Sequence, residues 1–309
     1  MENLEEEPKR GVWKSLSWFF VLVVSLLLIA YWVVPFNSTD FGSASGNSNF
    51  SLDGLNSEMQ FYENMRFPEP KISYYVYDCP LQKTNDMEQA FEILTNETIL
   101  EFNKVNSDQE ISITCDSRTK LEEGLFIAGE GGPTNITKTS DFNVILGGKI
   151  LLIRDSNCGT PNVALHELLH VLGFDHSSNK QNIMYNISGC GQTIGDDIIN
   201  LINEIYSIES LSDLTLENVS ATMNGKYLNT NISIRNNGLK DSEDFKVNIY
   251  ADEKLVKNVD MDGLKIGYGT SVMLSNLLIK QISVDELVFE IEYLFDELDK
   301  LDNKIVLAQ

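Results

Sequence analysis

The chain has 309 residues, with 46 acidic side chains against 23 basic ones and a net charge of −23. Apolar residues make up 42% of it, enough to bury a core and to exclude a disordered polypeptide. The acidity excludes a non-specific nucleic-acid binder, which needs a basic footprint, and a protein that docks on anionic lipid by charge. The three histidines exclude a His-rich metal store, and the length suggests about two domains.

In chain order, the first element is a membrane segment. No charged residue occurs from Ser15 to Thr39, and Leu16 to Phe36 is almost wholly apolar, broken mainly by Ser17 and Ser25. As a helix this run is long enough to cross a hydrocarbon core of about 30 Å. Trp13, Trp18, Tyr31 and Trp32 lie near its two ends, where amphipathic rings prefer the interface. Lys9, Arg10 and Lys14 precede it, so the positive-inside rule puts residues 1–14 in the cytosol and everything after residue 36 outside. A buried core helix would carry a polar stripe, which is missing. A cleaved signal peptide would have a shorter apolar run and small residues after it, where Pro35, Phe36 and Asn37 stand. The reading is an uncleaved anchor over residues 15–36.

Export agrees with the cysteines. Cys79, Cys115, Cys158 and Cys190 all follow the anchor, an even number that suits two disulfides in an oxidising compartment. Three pairings are open to four cysteines. The favoured one joins Cys79 to Cys115 and Cys158 to Cys190. Acceptor triplets for N-glycosylation stand at Asn37, Asn49, Asn96, Asn135, Asn186, Asn218 and Asn231.

Residues 37–57 are small and polar and read as a flexible stalk. Residues 58–210 mix helix and strand signals. Lys71–Tyr77 and Ile111–Thr114 read as strands, and Met87–Leu100 as a helix. Phe142–Ile153 reads as a hairpin about Gly147-Gly148. Thr160-Pro161 opens a helix, with Thr as N-cap, that Gly173 ends, and Ile194–Tyr206 reads as a last helix. Residues 211–309 change to short strands at Leu216–Ala221, Leu228–Arg235, Phe245–Tyr250, Ser271–Leu274 and Leu287–Tyr293. Frequent turn signals between them predict an antiparallel sandwich. The fold class expected is therefore α+β, with one membrane helix before it and an all-β, immunoglobulin-like sandwich after it.

The chemistry is concentrated in Leu165–Tyr185, which holds all three histidines. His166 and His170 are four apart, so a helix places them on one face, where both imidazoles reach a single metal ion. Gly173 lets the chain turn back, and His176 can then supply a third nitrogen. Three neutral nitrogens suit Zn²⁺ and leave a position open for water, the pattern of a catalytic site. Glu167 follows the first ligand and can serve as general base on that water. A closed structural zinc site would call for a fourth ligand, commonly Cys.

This pattern, HExxHxxGxxH with a methionine after it, is similar to that of the metzincin zinc endopeptidases. His176-Ser177-Ser178 and Ile183-Met184-Tyr185 make it resemble the matrixins within them. The resemblance implies a twisted mixed sheet with an active-site helix over residues 58–210. It implies His166, His170 and His176 as zinc ligands, Glu167 as the catalytic carboxylate and Met184 as the Met-turn floor. It also implies a peptide or protein substrate bound extended along an edge strand, near Val144–Leu151. Calcium sites, common in the family, cannot be traced residue by residue in this chain, and none is assigned. The chain departs from the family in having no cysteine-switch segment and in Leu169, where many relatives have Gly. Tyr185 directly follows the methionine and is not assigned as a ligand. Residues 211–309 resemble CARDB adhesion modules through Ile232–Gly238, Phe245–Tyr250 and the acidic, Asn-bearing stretch Glu292–Val306. The expectation is a membrane-anchored extracellular zinc endopeptidase whose sandwich has a surface partner. The alternatives are an adhesion protein with a vestigial or structural zinc site, and zinc-dependent hydrolysis of another amide. Most of the acidity lies in residues 37–210, where it favours solubility and, more weakly, basic substrates.

Overall fold

The computed structural model describes residues 10–33, 38–52, 57–118, 121–122, 125–154, 158–281 and 283–309. Asn37 and part of the stalk, 53–56, lie outside the described residues.

Helix α1 (Arg10–Val33) is 24 residues long and contains most of the apolar run. Its side chains are described from Lys14 to Ala30, and Leu16, Trp18, Phe19, Phe20 and Leu26–Ile29 are exposed. Among the described residues no helix is long and apolar enough to cross a membrane.

The segment read as a stalk is not one over residues 38–50. Strand β1 (Ser38–Ala44) pairs antiparallel with β10 (Leu214–Asn224), from Ser38 opposite Asn224 to Ala44 opposite Val219. Phe41 is buried in the sandwich core, the Gly46 N–H donates to the Leu216 carbonyl at 2.8 Å, and Phe50 packs at a tilt against Phe142, ring centroids 6.0 Å apart. The composition hid this strand because it needs only one large apolar side chain. Its edge position is held by backbone pairing, which any residue can supply.

Next come β2 (Met65–Arg66), β3 (Lys71–Val76), α2 (Leu81–Glu97), β4 (Glu101–Lys104) and β5 (Ile111–Cys115). The short hairpin β6 (Leu121–Glu122) and β7 (Leu125–Phe126) is followed by β8 (Gly129–Lys138), β9 (Asn143–Leu152), α3 (Asn162–Val171) and α4 (Asp196–Tyr206). In the sheet, β9 takes β2 and β5 parallel along one side and β8 antiparallel along the other, while β3 lies between β5 and β4. The Gly147-Gly148 turn is therefore a correction. β9 runs straight through both glycines, and the hairpin partner is β8. Gly148 is there for close approach, since a Cβ on it would lie 2.4 Å from Val171 of α3.

Helix α2 begins six residues before Met87 and contains the Asn85-Asp86 pair expected to precede it. Its inner face opens with Lys83, a charged residue that masks the apolar period. The stem is buried, and the ammonium donates to the carbonyls of Asp116 and Ile153 at 2.8 and 3.0 Å. The face continues through Met87, Ala90, Phe91 and Leu94 into the core beneath the sheet.

The C-terminal unit is a sandwich of two four-stranded antiparallel sheets. One has the order β1-β10-β11-β14, with β11 at Tyr227–Asn236 and β14 at Gly269–Leu278. The other has the order β13-β12-β15-β16, with β12 at Phe245–Ala251, β13 at Lys254–Met261, β15 at Glu286–Glu292 and β16 at Lys304–Ala308. β13 and β16 are both edge strands that the hydrophobic pattern did not reveal. Lys254, Lys257 and Asp260 interrupt β13, which suits an edge kept from further pairing.

A small apolar cluster of Phe142, Val144, Leu239 and Ile266, flanked by Phe50, Ile208 and Leu298, joins the two units. Beside it, the fully buried Arg66 donates to the Ile205 and Ile208 carbonyls at 2.6 and 3.0 Å. It thereby supplies the partners that the end of α4 would otherwise lack.

Candidate active site

Helix α3 forms because Pro161 fixes the entering backbone and apolar residues surround it on every side; all but Val163 of its residues are buried. Pro161, not Thr160, takes the N-cap position, and no side chain caps the helix there. The Thr160 hydroxyl instead donates to the Asn162 side chain at 2.5 Å, and the Asn162 amide donates to the Gly189 carbonyl at 2.7 Å. Gly173, at φ +97°, ends the helix and sends the chain back over Met65, a conformation that a side chain would strain.

That turn brings the three histidines together. His166 Nε2 and His170 Nε2 are 3.0 Å apart, and His170 Nε2 and His176 Nε2 are 3.2 Å apart. All three ligand nitrogens lie within 4.8 Å of one another. His166 Nδ1 donates to the Ile183 carbonyl at 2.7 Å, and His170 Nδ1 to the Phe174 carbonyl at 2.8 Å. A backbone carbonyl only accepts, so these contacts fix the proton on Nδ1 and leave the Nε2 lone pair facing its neighbours. Burial holds His166 below its ordinary pKa and lowers His170 to about 4, the neutral forms a metal requires. Two lone pairs fixed in this way, with a third ring nitrogen beside them, make a cation the natural occupant. The residues present therefore fit a zinc ion.

Glu167 is buried at 6% exposure, on the side of α3 that meets β8. Burial first, then the charge of Glu130, pushes its pKa up to about 8, against a hydrogen bond from the Gly131 backbone. α3 rests on β8 where glycines allow it: a Cβ on Gly129 would come within 2.7 Å of the Glu167 side chain, and one on Gly131 within 2.2 Å of its carbonyl oxygen. Met184 is fully buried, and its carbonyl accepts from the Ser177 N–H at 2.8 Å. The Ile183-Met184 segment thus holds His166 directly and the chain just past His176. Tyr185 is half-buried.

Cys158 and Cys190 form a disulfide that closes the segment holding α3 and Met184 into a loop, and Cys79 pairs with Cys115. Asn49, Asn96, Asn135, Asn186 and Asn218 are exposed, and Asn231 is half-buried on β11. The Val144–Leu151 segment corresponds to the interior strand β9. The edge strand beside the site is β8, so the expected docking edge moves one strand outward. Two neighbours escaped the sequence reading. Phe61 stacks on His170 at 5.7 Å and 21°, with its N–H on the Gly173 carbonyl at 2.9 Å. Glu130 is the charge that acts on Glu167. Neither belongs to a spacing pattern, because Phe61 arrives from the loop before β2 and Glu130 from β8.

The edge strand of a sheet thus lies beside a helix carrying two of three convergent histidines, a group able to hold a metal ion. Residues 71–207 match the family model of the matrixins, and residues 211–304 match that of CARDB, in that order. No curated protein matches the chain.

Proposed function

We propose that the chain is a membrane-anchored zinc endopeptidase whose catalytic domain acts outside the cytosol. The observation that carries this is the convergence of three Nε2 atoms, two of them oriented by backbone carbonyls, beside one buried carboxylate. His166, His170 and His176 hold the ion. When bound, zinc supplies Lewis acidity toward a peptide carbonyl and acidifies water. Glu167 takes a proton from the attacking water on its carboxylate and delivers it to the leaving amine. Burial and the neighbouring charge of Glu130 raise its affinity for a proton, which suits a carboxylate that has to take one up. β8 offers its outer edge to an extended peptide by strand addition, since it pairs with β9 alone among the described strands. Ile183-Met184 keeps His166 and the His176 turn in place without touching the substrate.

The anchor reading is supported by the uncharged run from Ser15 to Thr39 and by the basic residues before it. Two disulfides agree with an oxidising compartment. The exposed acceptor asparagines are modification sites in that setting. Residues 211–309 then display a partner-binding surface near the membrane.

The deciding experiment is terminal-sequence profiling of a peptide library digested by the zinc-loaded chain, with Glu167→Gln as control. Cleavage confined to the unaltered chain supports the reading, and equal cleavage by the variant sinks it. Retention in the membrane fraction through alkaline extraction tests the anchor separately, and full release would overturn it.

A further inference from the structure

The sandwich contains a second buried polar cluster. Asp213 stands just before β10, and Glu297, Asp299, Asp302 and Asn303 stand on the loop from β15 to β16. All five are buried, Asp302 at 1% exposure and Asn303 at 4%. Four carboxylates are thus withdrawn from water together. Among the described residues their hydrogen-bond partners are backbone N–H groups, hydroxyls and one amide, with no Lys or Arg. Buried charge without a counter-charge is among the costliest arrangements a protein can hold.

Asp299 has satisfied its own oxygens. It accepts from Ser48, from the backbone of Asn49 and Phe50 and from Leu301, and it fixes the strap that follows β1. Its pKa falls below the usual carboxylate range because these bonds together outweigh its burial. The others differ. Asp302 Oδ2 accepts from the Thr215 hydroxyl at 2.8 Å, but Asp302 Oδ1 has no partner. The Asn303 amide nitrogen donates to Glu297 and to the Tyr293 hydroxyl, but Asn303 Oδ1 has no partner. Two orphaned acceptors in one buried acidic cluster require a donor or a cation. Burial, followed by the charge of Asp302, pushes Asp213 up to about 8, while Glu297 rises to about 7 and Asp302 to about 6, each chiefly through burial.

We propose that Asp213, Glu297, Asp302 and Asn303 form a binding site for a hard divalent cation, with calcium as its occupant. Calcium takes six to eight oxygen ligands in flexible geometry, including amide and backbone carbonyl oxygens. The donor set has no nitrogen or sulfur and so favours calcium over zinc. The carboxylates do not bring oxygens in threes within 4.8 Å as the histidines do with their nitrogens. Binding therefore requires the carboxylates to close on the ion, with the orphaned Asn303 Oδ1 as a further ligand. The ion would tie the start of β10 to the 293–303 loop. That loop carries Leu298 into the apolar cluster joining the two units, and its Asp302 carbonyl accepts from Leu216 at 3.2 Å. Calcium would thus stiffen the sandwich at the edge facing the catalytic domain.

The test is calcium titration of the zinc-loaded full chain in detergent, followed by calorimetry and thermal unfolding. Calcium ions do not compete for imidazole nitrogens, so the zinc site is silent in both. The expected result is one binding event in the sub-millimolar range and a rise in Tm of about 5 °C near saturation. Asp302→Asn removes the charge but keeps the shape; it should abolish the calcium response and raise calcium-free stability. A calcium response unchanged in Asp302→Asn, or no response in the unaltered chain, overturns the proposal. Should that variant not fold, terbium luminescence excited through Tyr293 decides on the unaltered chain. Emission that calcium displaces and that Tyr293→Phe largely removes supports the site, and emission indifferent to Tyr293→Phe places the ion elsewhere and overturns it.

Discussion

The histidine site and the acidic loop are both buried polar clusters, and they handle burial in opposite ways. Around His166 and His170 the second ring nitrogen of each residue is held by a backbone carbonyl, and the rings are neutral. Around Asp302 the groups are acidic, share one sign and leave two oxygens unpartnered. Neutral ligands oriented by backbone can wait for a metal at little cost, whereas like charges in one pocket destabilise the fold until something neutralises them. The first cluster can hold an ion in a preformed place. The second is built to make stability depend on one.

The largest expected effect falls on the catalytic side of this contrast. Glu167→Gln should lower kcat by about 10²-fold to 10⁴-fold with zinc content unchanged, read by peptide hydrolysis and metal analysis. Loss of zinc along with activity would show that Glu167 maintains the site instead of acting in it. Removing the Cys158–Cys190 bridge, which spans 32 residues, should cost about 3–4 kcal/mol in denaturant unfolding of the catalytic unit. It should leave the sandwich transition in place, and a fall in both transitions would break the distinction between the two units. Gly131→Ala forces a Cβ against the Glu167 carbonyl oxygen and should cost about 1–3 kcal/mol with reduced activity. Gly132→Ala, with open space around it, should cost less than about 1 kcal/mol on the same assay.

The smallest effect is a pH slope. In the unfolded chain the carboxylates of the acidic loop titrate near pH 4. In the folded chain Asp302, Glu297 and Asp213 titrate near 6, 7 and 8. Between those values the folded state holds more protons, so their contribution is fully present below about pH 4 and is lost as pH rises through 6 to 8. Without divalent cations the unaltered chain should lose stability against Asp302→Asn over that range, by at most about 1.4 kcal/mol per pH unit per proton. Added calcium should flatten the difference, and a difference that stays flat without it would remove the contrast between the clusters.

Much of the catalytic site was legible because it is local. His166, Glu167 and His170 share one helix, Gly173 marks its end, and His176 follows within one turn. Elements with a strong apolar period, such as β5, α4 and β11, were legible for the same reason. The misses share a cause. β1 has one buried apolar side chain, α2 opens on a buried lysine, and β13 is interrupted by charge, so tertiary partners form each element where local pattern is weak. The straight course of β9 through Gly147 and Gly148 was invisible because glycine there answers to the approach of α3, a neighbour in space and not in sequence.

The sequence by itself determined three histidines that converge, a carboxylate on the same helix, an apolar N-terminal run and a change of character near residue 211. Each of these is written in the spacing of neighbouring residues, and helix geometry converts spacing into position directly. Only the tertiary structure decided that the segment after α1 belongs to the sandwich, that β8 forms the open edge beside the site and that Asp213 meets a loop some 90 residues further on. Those facts depend on which distant strands pair and which carboxylates are buried together, and backbone pairing leaves little trace in side-chain pattern.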